Sequence, residues 1–206
     1  MNFQKILSEI DINKGIFRPD SGSIALTRTV LTHKGKFLDL GTGSGFISIA
    51  LFLNGYNGDC SDISHSAIDC AKNNFRKFGI DCEPIYSDLY NNISGKYDII
   101  IFNPFSNTPE SEFNRLFKNF VKQILPERLG NYFGKIFQSI NRKKRINFLK
   151  EFIGITKNYL NENGVLIMNP LIKDAEIIIS GNNKYKIKKV FIADYTTVLE
   201  IKYNLL

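Results

Sequence analysis

Phe37-Leu38-Asp39-Leu40-Gly41-Thr42-Gly43-Ser44-Gly45-Phe46 decides the fold class of this chain. A short apolar run carries one acid, three glycines follow at alternate positions, and Ile47, Ile49, Ala50 and Leu51 continue as an amphipathic segment. That order reads as strand, tight loop and helix. Glycine tolerates positive φ and has no Cβ, so the loop can turn sharply and let a ligand touch the backbone. The loop hands over to a helix N-terminus, where free N–H groups face the ligand. A dinucleotide-binding loop places its glycines as G-x-G-x-x-G. Here they run G-x-G-x-G, with Asp39 two residues ahead. An acid at that place repels a pyrophosphate, but it can pair with an ammonium or order water around it.

Towards the N-terminus, Phe3, Ile6, Leu7 and Ile10 recur at helical spacing and predict a short helix within residues 2–16, ended by Gly15. Ile16-Phe17-Arg18-Pro19-Asp20-Ser21-Gly22 comes next. Pro19 holds Arg18 extended, and Asp20 or Ser21 can cap a helix over 23–31. Arg18 and Ser21 read equally as parts of a proline turn before a capped helix and as a wall of a ligand pocket. Residues 1–34 together make a helical cap on the domain.

Towards the C-terminus, strand one spans 36–40 and its crossover helix 45–53. A weak strand over 59–62 ends at Asp62, and Ile63 follows. In doubly wound folds an acid there accepts hydrogen bonds from ribose hydroxyls. The alternative is that Asp62 or Ser64 caps the next helix, 64–78, whose Ala67, Ile68, Ala71, Phe75 and Phe78 share a face. Strand three, 83–86, leads to Asp88, which reads as a contact to an adenine amino group or as a plain loop carboxylate. Residues 97–102 form a continuous apolar strand, as a parallel sheet buried on both faces requires. It ends in Asn103-Pro104-Phe105-Ser106. Successive βαβ units predict a parallel α/β sheet with right-handed crossovers. Residues 41–45, Asp62, Asp88 and Asn103 all fall at C-terminal strand ends, where such sheets bind ligands.

Residues 106–146 are too long for a plain connection and predict a helical insertion or lid beside the site. Within 135–150 lie Lys135, Arg142, Lys143, Lys144, Arg145 and Lys150, which read as a solvated helix face or as a patch for an anionic partner. A helix over 144–160, a turn at 161–164, strand 165–168 and a helix over 170–180 follow. Residues 184–192 and 196–203 alternate and predict a terminal antiparallel hairpin.

The chain has 206 residues, 43% hydrophobic and 23% charged, which suits one globular domain with a sizeable core. No apolar run of about 18 residues predicts a membrane span, and residues 1–5 lead into no secretory signal, so a cytoplasmic protein is expected. The net charge of +7 permits RNA, DNA or a ribosome-associated partner, although general richness in Lys, Asn and Ile accounts for the same charge. Cys60, Cys70 and Cys82 have no C-x-x-C spacing and read as core residues rather than a disulfide framework or zinc site. Only His33 and His65 are present, which argues against a histidine metal centre or a Ser-His-Asp triad.

The Asp39–Gly45 run resembles motif I of the class I S-adenosylmethionine-dependent methyltransferases. Five parallel strands and a hairpin look like their doubly wound, seven-stranded, Rossmann-like sheet. The likeness sharpens towards the release-factor glutamine N5-methyltransferases and their small-domain relatives. Those enzymes carry R-P-[ED]-[ST] before strand one, D-L-G-T-G-S-G, and N-P-P-[YF] after strand four. This chain has Arg18-Pro19-Asp20-Ser21, Asp39–Gly45, and Asn103-Pro104-Phe105-Ser106. The third match is broken, with Phe105 for the second proline and Ser106 for the aromatic residue.

The resemblance implies S-adenosylmethionine as cofactor and no metal. It implies cofactor contacts from Asp39, Gly41, Thr42, Gly43, Gly45, Asp62, Ile63, Asp88 and Asn103, with Arg18 and Ser21 beside them. Asn103 and Pro104 would be the catalytic pair, supplying two acceptors that aim a planar nitrogen at the methyl carbon, with Phe105 and Ser106 against the substrate. The implied substrates are a protein glutamine, as in a release factor, or an exocyclic nitrogen of an RNA or DNA base. A small-molecule methyltransferase and a non-catalytic binding protein of the same fold are the other readings.

Overall fold

All four residues of β1 (Phe37–Leu40) are buried, as a strand covered on both faces must be. The computed structural model describes residues 2–104, 142–182, 184–192 and 196–203. In it β1 is an interior strand of the sheet. Parallel to it run β2 (Gly58–Asp62) on one side and β4 (Tyr97–Phe102) on the other. The short β3 (Ile85–Tyr86) extends β2, and β5 (Leu160–Met168) extends β4, both parallel. The hairpin of β6 (Tyr185–Ile192) and β7 (Thr196–Tyr203) is antiparallel, and β7 pairs with β5. The order across the seven described strands is β3-β2-β1-β4-β5-β7-β6.

Side-chain chemistry explains why the later hairpin strand lies inside. On β7, Val198, Leu199 and Ile201 are fully buried. On β6, Lys186, Lys188 and Lys189 are exposed. Lysines on an outer strand discourage pairing with another chain.

The strands alternate cleanly between two cores. Phe37, Ile99, Ile101 and Ile167 point to one, with α1 (Phe3–Glu9), α2 (Ser21–Val30), α3 (Phe46–Phe52) and α4 (His65–Lys77) supplying Phe3, Leu26, Phe46 and Phe75. Leu38, Leu40, Ile100, Leu166 and Met168 point to the other, beneath α5 (Arg142–Thr156) and α6 (Ile172–Ser180). Cys60 and Cys70 are buried and Cys82 half-buried, all as free thiols. No helix among the described residues is long and apolar enough to cross a membrane.

Several expected boundaries move. The first helix stops at Glu9, well short of Gly15, and Ile10 is already extended. The reason lies in α4: the Asn74 side chain accepts the Asp11 N–H at 2.8 Å and donates to the Asp11 carbonyl at 2.9 Å. The backbone there bonds to α4 instead of continuing a helix. The second helix begins at Ser21, not Ser23, because Asp20 is its cap and forms a reciprocal capping box with Ser23. The helix expected over 144–160 is α5 followed by a 3₁₀ turn over Lys157–Tyr159. The turn expected at 161–164 is a bulge inside β5: Leu160 pairs with Tyr97, and the register then jumps to Val165 opposite Ile99. Asn163, at φ 66°, makes the bend. Helix α6 starts at Ile172 rather than 170. Residues 105–141, including Phe105, Ser106 and most of the expected insertion, and the hairpin turn at 193–195 lie outside the described residues. The last part of the 106–146 segment, from Arg142, opens α5.

Candidate cofactor and acceptor site

The three loop glycines do different work. Gly41, Gly43 and Gly45 all have positive φ, at 74°, 58° and 81°. Among the described residues, a Cβ on Gly41 would meet nothing within 4 Å, and one on Gly43 only Ile16 Cγ2 at 3.8 Å. A Cβ on Gly45 would strike the Phe75 ring at 2.7 Å. Gly45 therefore packs the loop on α4, while Gly41 and Gly43 keep bare backbone at the open rim. The Gly41 and Thr42 N–H groups both donate to the Ser61 carbonyl, at 2.8 and 2.9 Å, which ties the loop to β2.

Asp39 braces this loop from inside. Its Oδ2 accepts the hydroxyls of Thr42 at 2.8 Å and Ser48 at 2.7 Å. The side chain is 1% exposed, and burial pushes its pKa up to about 6. Its carboxylate thus holds two hydroxyls rather than facing the rim. Thr42 likewise turns its side chain inward. The Ser44 hydroxyl is buried in the same loop and makes no hydrogen bond among the described residues.

Asp62 ends β2 beside the loop. One of its carboxylate oxygens accepts the Gly43 N–H at 3.0 Å and the other the Ser64 N–H at 2.9 Å. Burial raises its pKa, against these backbone donors. Ser64, not Asp62, caps α4 by accepting the Ala67 N–H. Next to Asp62, Ile63 is 44% exposed. Tyr86, at the end of β3, stacks flat on His65 with centroids 4.1 Å apart. Asp88 follows on the exposed loop beyond β3. Bare loop backbone, a carboxylate with lone pairs to spare and an exposed apolar side chain are groups that could hold an amino acid, a ribose and a base. The residues fit S-adenosylmethionine.

Asn103 stands at the end of β4, on the other side of the loop. Its Nδ2 donates to Ser23 Oγ at 3.2 Å. Its Oδ1 accepts from Asn169 Nδ2 at 3.3 Å. Asn169 follows β5, is 1% exposed, and its backbone N–H donates to the Phe102 carbonyl at 3.2 Å. The Asp20-Ser23 cap thus reaches directly to Asn103. Arg18 is exposed, and Ser21 is exposed at the first position of α2. Pro104 is half-buried beside Asn103.

Sequence reasoning missed Ser23, Asn74 and Asn169. Ser23 was legible only as the partner of Asp20 in a capping pattern. Asn74 lies on the buried side of α4 and also donates to the Ser44 carbonyl at 2.9 Å, and no local signal marks it. Asn169 precedes a proline and reads as a turn residue. In the basic stretch, Arg145 is buried and paired with Asp174 at 2.5 and 3.1 Å, while Lys150 is exposed. No cluster of three or more His, Cys, Asp or Glu among the described residues could hold a metal ion.

A parallel sheet in the order 3-2-1-4-5 with an antiparallel 7-6 hairpin, a glycine loop after β1 and an acid at the end of β2 define the S-adenosylmethionine-dependent methyltransferase fold. Within it, the chain belongs to the methyltransferase small domain family, whose profile matches residues 12–169. S-adenosylmethionine is the cofactor of this family. Among relatives, a Methanocaldococcus jannaschii protein named as a protein N5-glutamine methyltransferase is 29% identical over 160 residues, 77% of this chain and 73% of its own. A release factor glutamine methyltransferase of Streptococcus pneumoniae is 42% identical over 111 residues, 50% of this chain and 39% of its own. A ribosomal RNA small subunit methyltransferase C of Buchnera aphidicola is 39% identical over 93 residues, 44% of this chain and 27% of its own. The matched region is well under half the length of the last two.

Among solved structures, a ribosomal protein L11 methylase from Lactobacillus delbrueckii superposes with a TM-score of 0.62 at 19% identity, covering 95% of this chain and 86% of that one. A Thermus thermophilus 16S rRNA N2 G1207 methyltransferase, in complex with AdoMet and guanosine, gives 0.58 at 14%, covering 90% and 44%. These show the shared fold.

Proposed function

We propose that this chain methylates a planar nitrogen, either the amide of a protein glutamine or an exocyclic amine of a nucleic-acid base. The observation that carries the reading is Asn103, held at the C-terminal end of β4 by Ser23 and Asn169 with its oxygen as acceptor. Such nitrogens are weak nucleophiles, and orientation is the main thing a protein can add. Asn103 Oδ1 and the Pro104 carbonyl accept the N–H bonds of the substrate and aim the lone pair. Held on the glycine loop, S-adenosylmethionine would supply an electrophilic methyl carbon; the nitrogen aimed by Asn103 and Pro104 would take that methyl as the C–S electron pair goes to sulfur, and its surplus N–H proton would pass to water. Asp62 holds the ribose hydroxyls, Ile63 covers the base, and Asp88 reaches its amino group. Gly41 and Gly43 present bare backbone to the amino-acid end.

The relatives' names include both a release-factor glutamine and a ribosomal RNA substrate, and either fits a cytoplasmic enzyme. The domain is read as one unit with its insertion at 106–146 recognising the substrate. Arg145 is buried against the Asp174 carboxylate, so it is not offered to an outside anionic partner. The test is transfer of labelled methyl from S-adenosylmethionine into cell extract separated into protein, RNA, DNA and small molecules. Label in protein or nucleic acid that disappears with Asn103→Ala supports the reading. Label only in small molecules, or full transfer by Asn103→Ala, overturns it.

A further inference from the structure

We infer that Asp20, Ser23 and Asn169 are positioning residues that fix which way the Asn103 amide points, so that its oxygen faces the acceptor group. This rests on the reading of Asn103 as the residue that receives the substrate N–H. An asparagine side chain has an acceptor end and a donor end of nearly the same shape. Turned over, Asn103 would offer NH2 to an incoming N–H, and two donors would face each other. A site of this kind needs something that decides the direction.

The hydrogen-bond chain decides it by counting protons. Ser23 Oγ lies 3.2 Å from Asp20 Oδ1. An ionised carboxylate has only acceptors, so the Ser23 proton must go to Asp20. The Asp20 carboxylate is itself fixed by the Ser23 N–H at 2.9 Å. Ser23 Oγ, with its one proton committed, offers only lone pairs to its other neighbours. One receives the Asp20 N–H at 3.3 Å, and the other faces Asn103 at 3.2 Å. Only the NH2 end of Asn103 satisfies it.

The oxygen end is then directed to Asn169, whose Nδ2 donates at 3.3 Å. Reversed, the Asn103 amide would set its own NH2 against the Asn169 NH2 and its oxygen against a lone pair of Ser23. Both hydrogen bonds would be lost together. A carbonyl oxygen has two lone pairs, so Asn169 takes one and leaves one for substrate. The helix cap of α2, the end of β4 and the end of β5 are therefore one device. It also joins Arg18–Ser21 to Asn103 and Pro104, two stretches about 80 residues apart in sequence.

Asn169→Asp tests the direction, because an ionised aspartate cannot donate and attracts the NH2 end of Asn103. Ser23→Ala removes the lone pairs that hold that end, and Ser23→Thr restores them. Methyl transfer into extract is expected to fall about 100-fold in Asn169→Asp and Ser23→Ala, as misdirection of a reacting group does, with Ser23→Thr recovering most of it. Calorimetric binding of S-adenosylmethionine should stay unchanged in all three. Wild-type turnover in either Asn169→Asp or Ser23→Ala overturns the inference. A second readout is independent of turnover. The Asn103 NH2 resonances, assigned by their loss in Asn103→Asp, should exchange slowly with solvent in the wild type and quickly in folded Ser23→Ala. Exchange that is fast in the wild type, or unaffected by Ser23→Ala, overturns the inference. If the wild type labels no macromolecule, the proposed reaction fails, and the exchange measurement still decides the orientation.

Discussion

Asp62 binds the Gly43 N–H through one carboxylate oxygen at 3.0 Å and the Ser64 N–H through the other at 2.9 Å. One side chain at the end of β2 thereby sets the glycine loop of β1 against the start of α4. The two oxygens keep lone pairs beyond these bonds. Asp62 thus shapes the glycine loop and, in the proposed reading, also takes the ribose of the cofactor. Asp62→Ala removes both roles and should weaken S-adenosylmethionine binding by about 100-fold, on the order of 3 kcal/mol. Asp62→Asn keeps one acceptor for Gly43 and should lose less. Calorimetric titration of both variants checks this, and equal losses would show that the loop bond to Gly43 contributes nothing.

Gly41 and Gly45 should respond in opposite ways to the same methyl group. Gly45→Ala must combine a left-handed backbone with a clash against the Phe75 ring, which should cost about 2–4 kcal/mol of stability. Gly41→Ala meets no atom of the described residues and should cost only about 1–2 kcal/mol, from φ alone. On the proposed placement of the cofactor its methyl group would meet S-adenosylmethionine, so its binding loss should exceed its stability loss. Urea unfolding beside ligand titration separates the two. A Gly41→Ala protein that binds S-adenosylmethionine normally places the cofactor elsewhere.

Asn74 holds the strap after α1 by both backbone groups of Asp11 and holds the glycine loop by the Ser44 carbonyl. Asn74→Ala removes all three hydrogen bonds, leaves the Asp11 carbonyl only the Cys70 thiol at 3.4 Å, and should destabilise the protein by about 2–4 kcal/mol. Limited proteolysis should then cut first within residues 11–19. Unchanged cleavage there would mean that Lys77, 2.5 Å from the Asp11 carboxylate, and the Cys70 thiol on the Asp11 carbonyl hold the strap without Asn74.

The raised pKa of Asp39 makes stability depend on pH with a definite sign. Its folded pKa of about 6 stands above the ordinary 3.8, so between these values the folded state binds more protons than the unfolded chain. Stability therefore rises as pH falls from about 7 towards 4, by up to about 3 kcal/mol from this group. Asp62, also raised by burial, adds in the same direction. Thermal midpoints at pH 7.5 and pH 5 should differ less in Asp39→Asn than in the wild type. An equal difference in both proteins would assign the pH dependence to other groups.

The strand-loop-helix unit around Gly41–Gly45, the parallel strands and the terminal hairpin were readable from residue order alone. Apolar runs, glycines and caps act on near neighbours in the chain, and they locate β1, α4 and β4 within a residue or two. The family also follows from that local pattern. Asn74, Ser23 and Asn169 were decided only in three dimensions, because each meets a partner 63 to 80 residues away. The inward turn of Asp39 was settled the same way. An acid two residues before a glycine loop can face a ligand or a buried hydroxyl. The direction follows from Ser48 on the helix packed over that face of the strand. Chain order determined which chemistry could assemble at the strand ends. The packing of α2, α4 and the end of β5 determined how its polar atoms are aimed, since hydrogen bonds depend on positions within tenths of an ångström and sequence spacing does not set those.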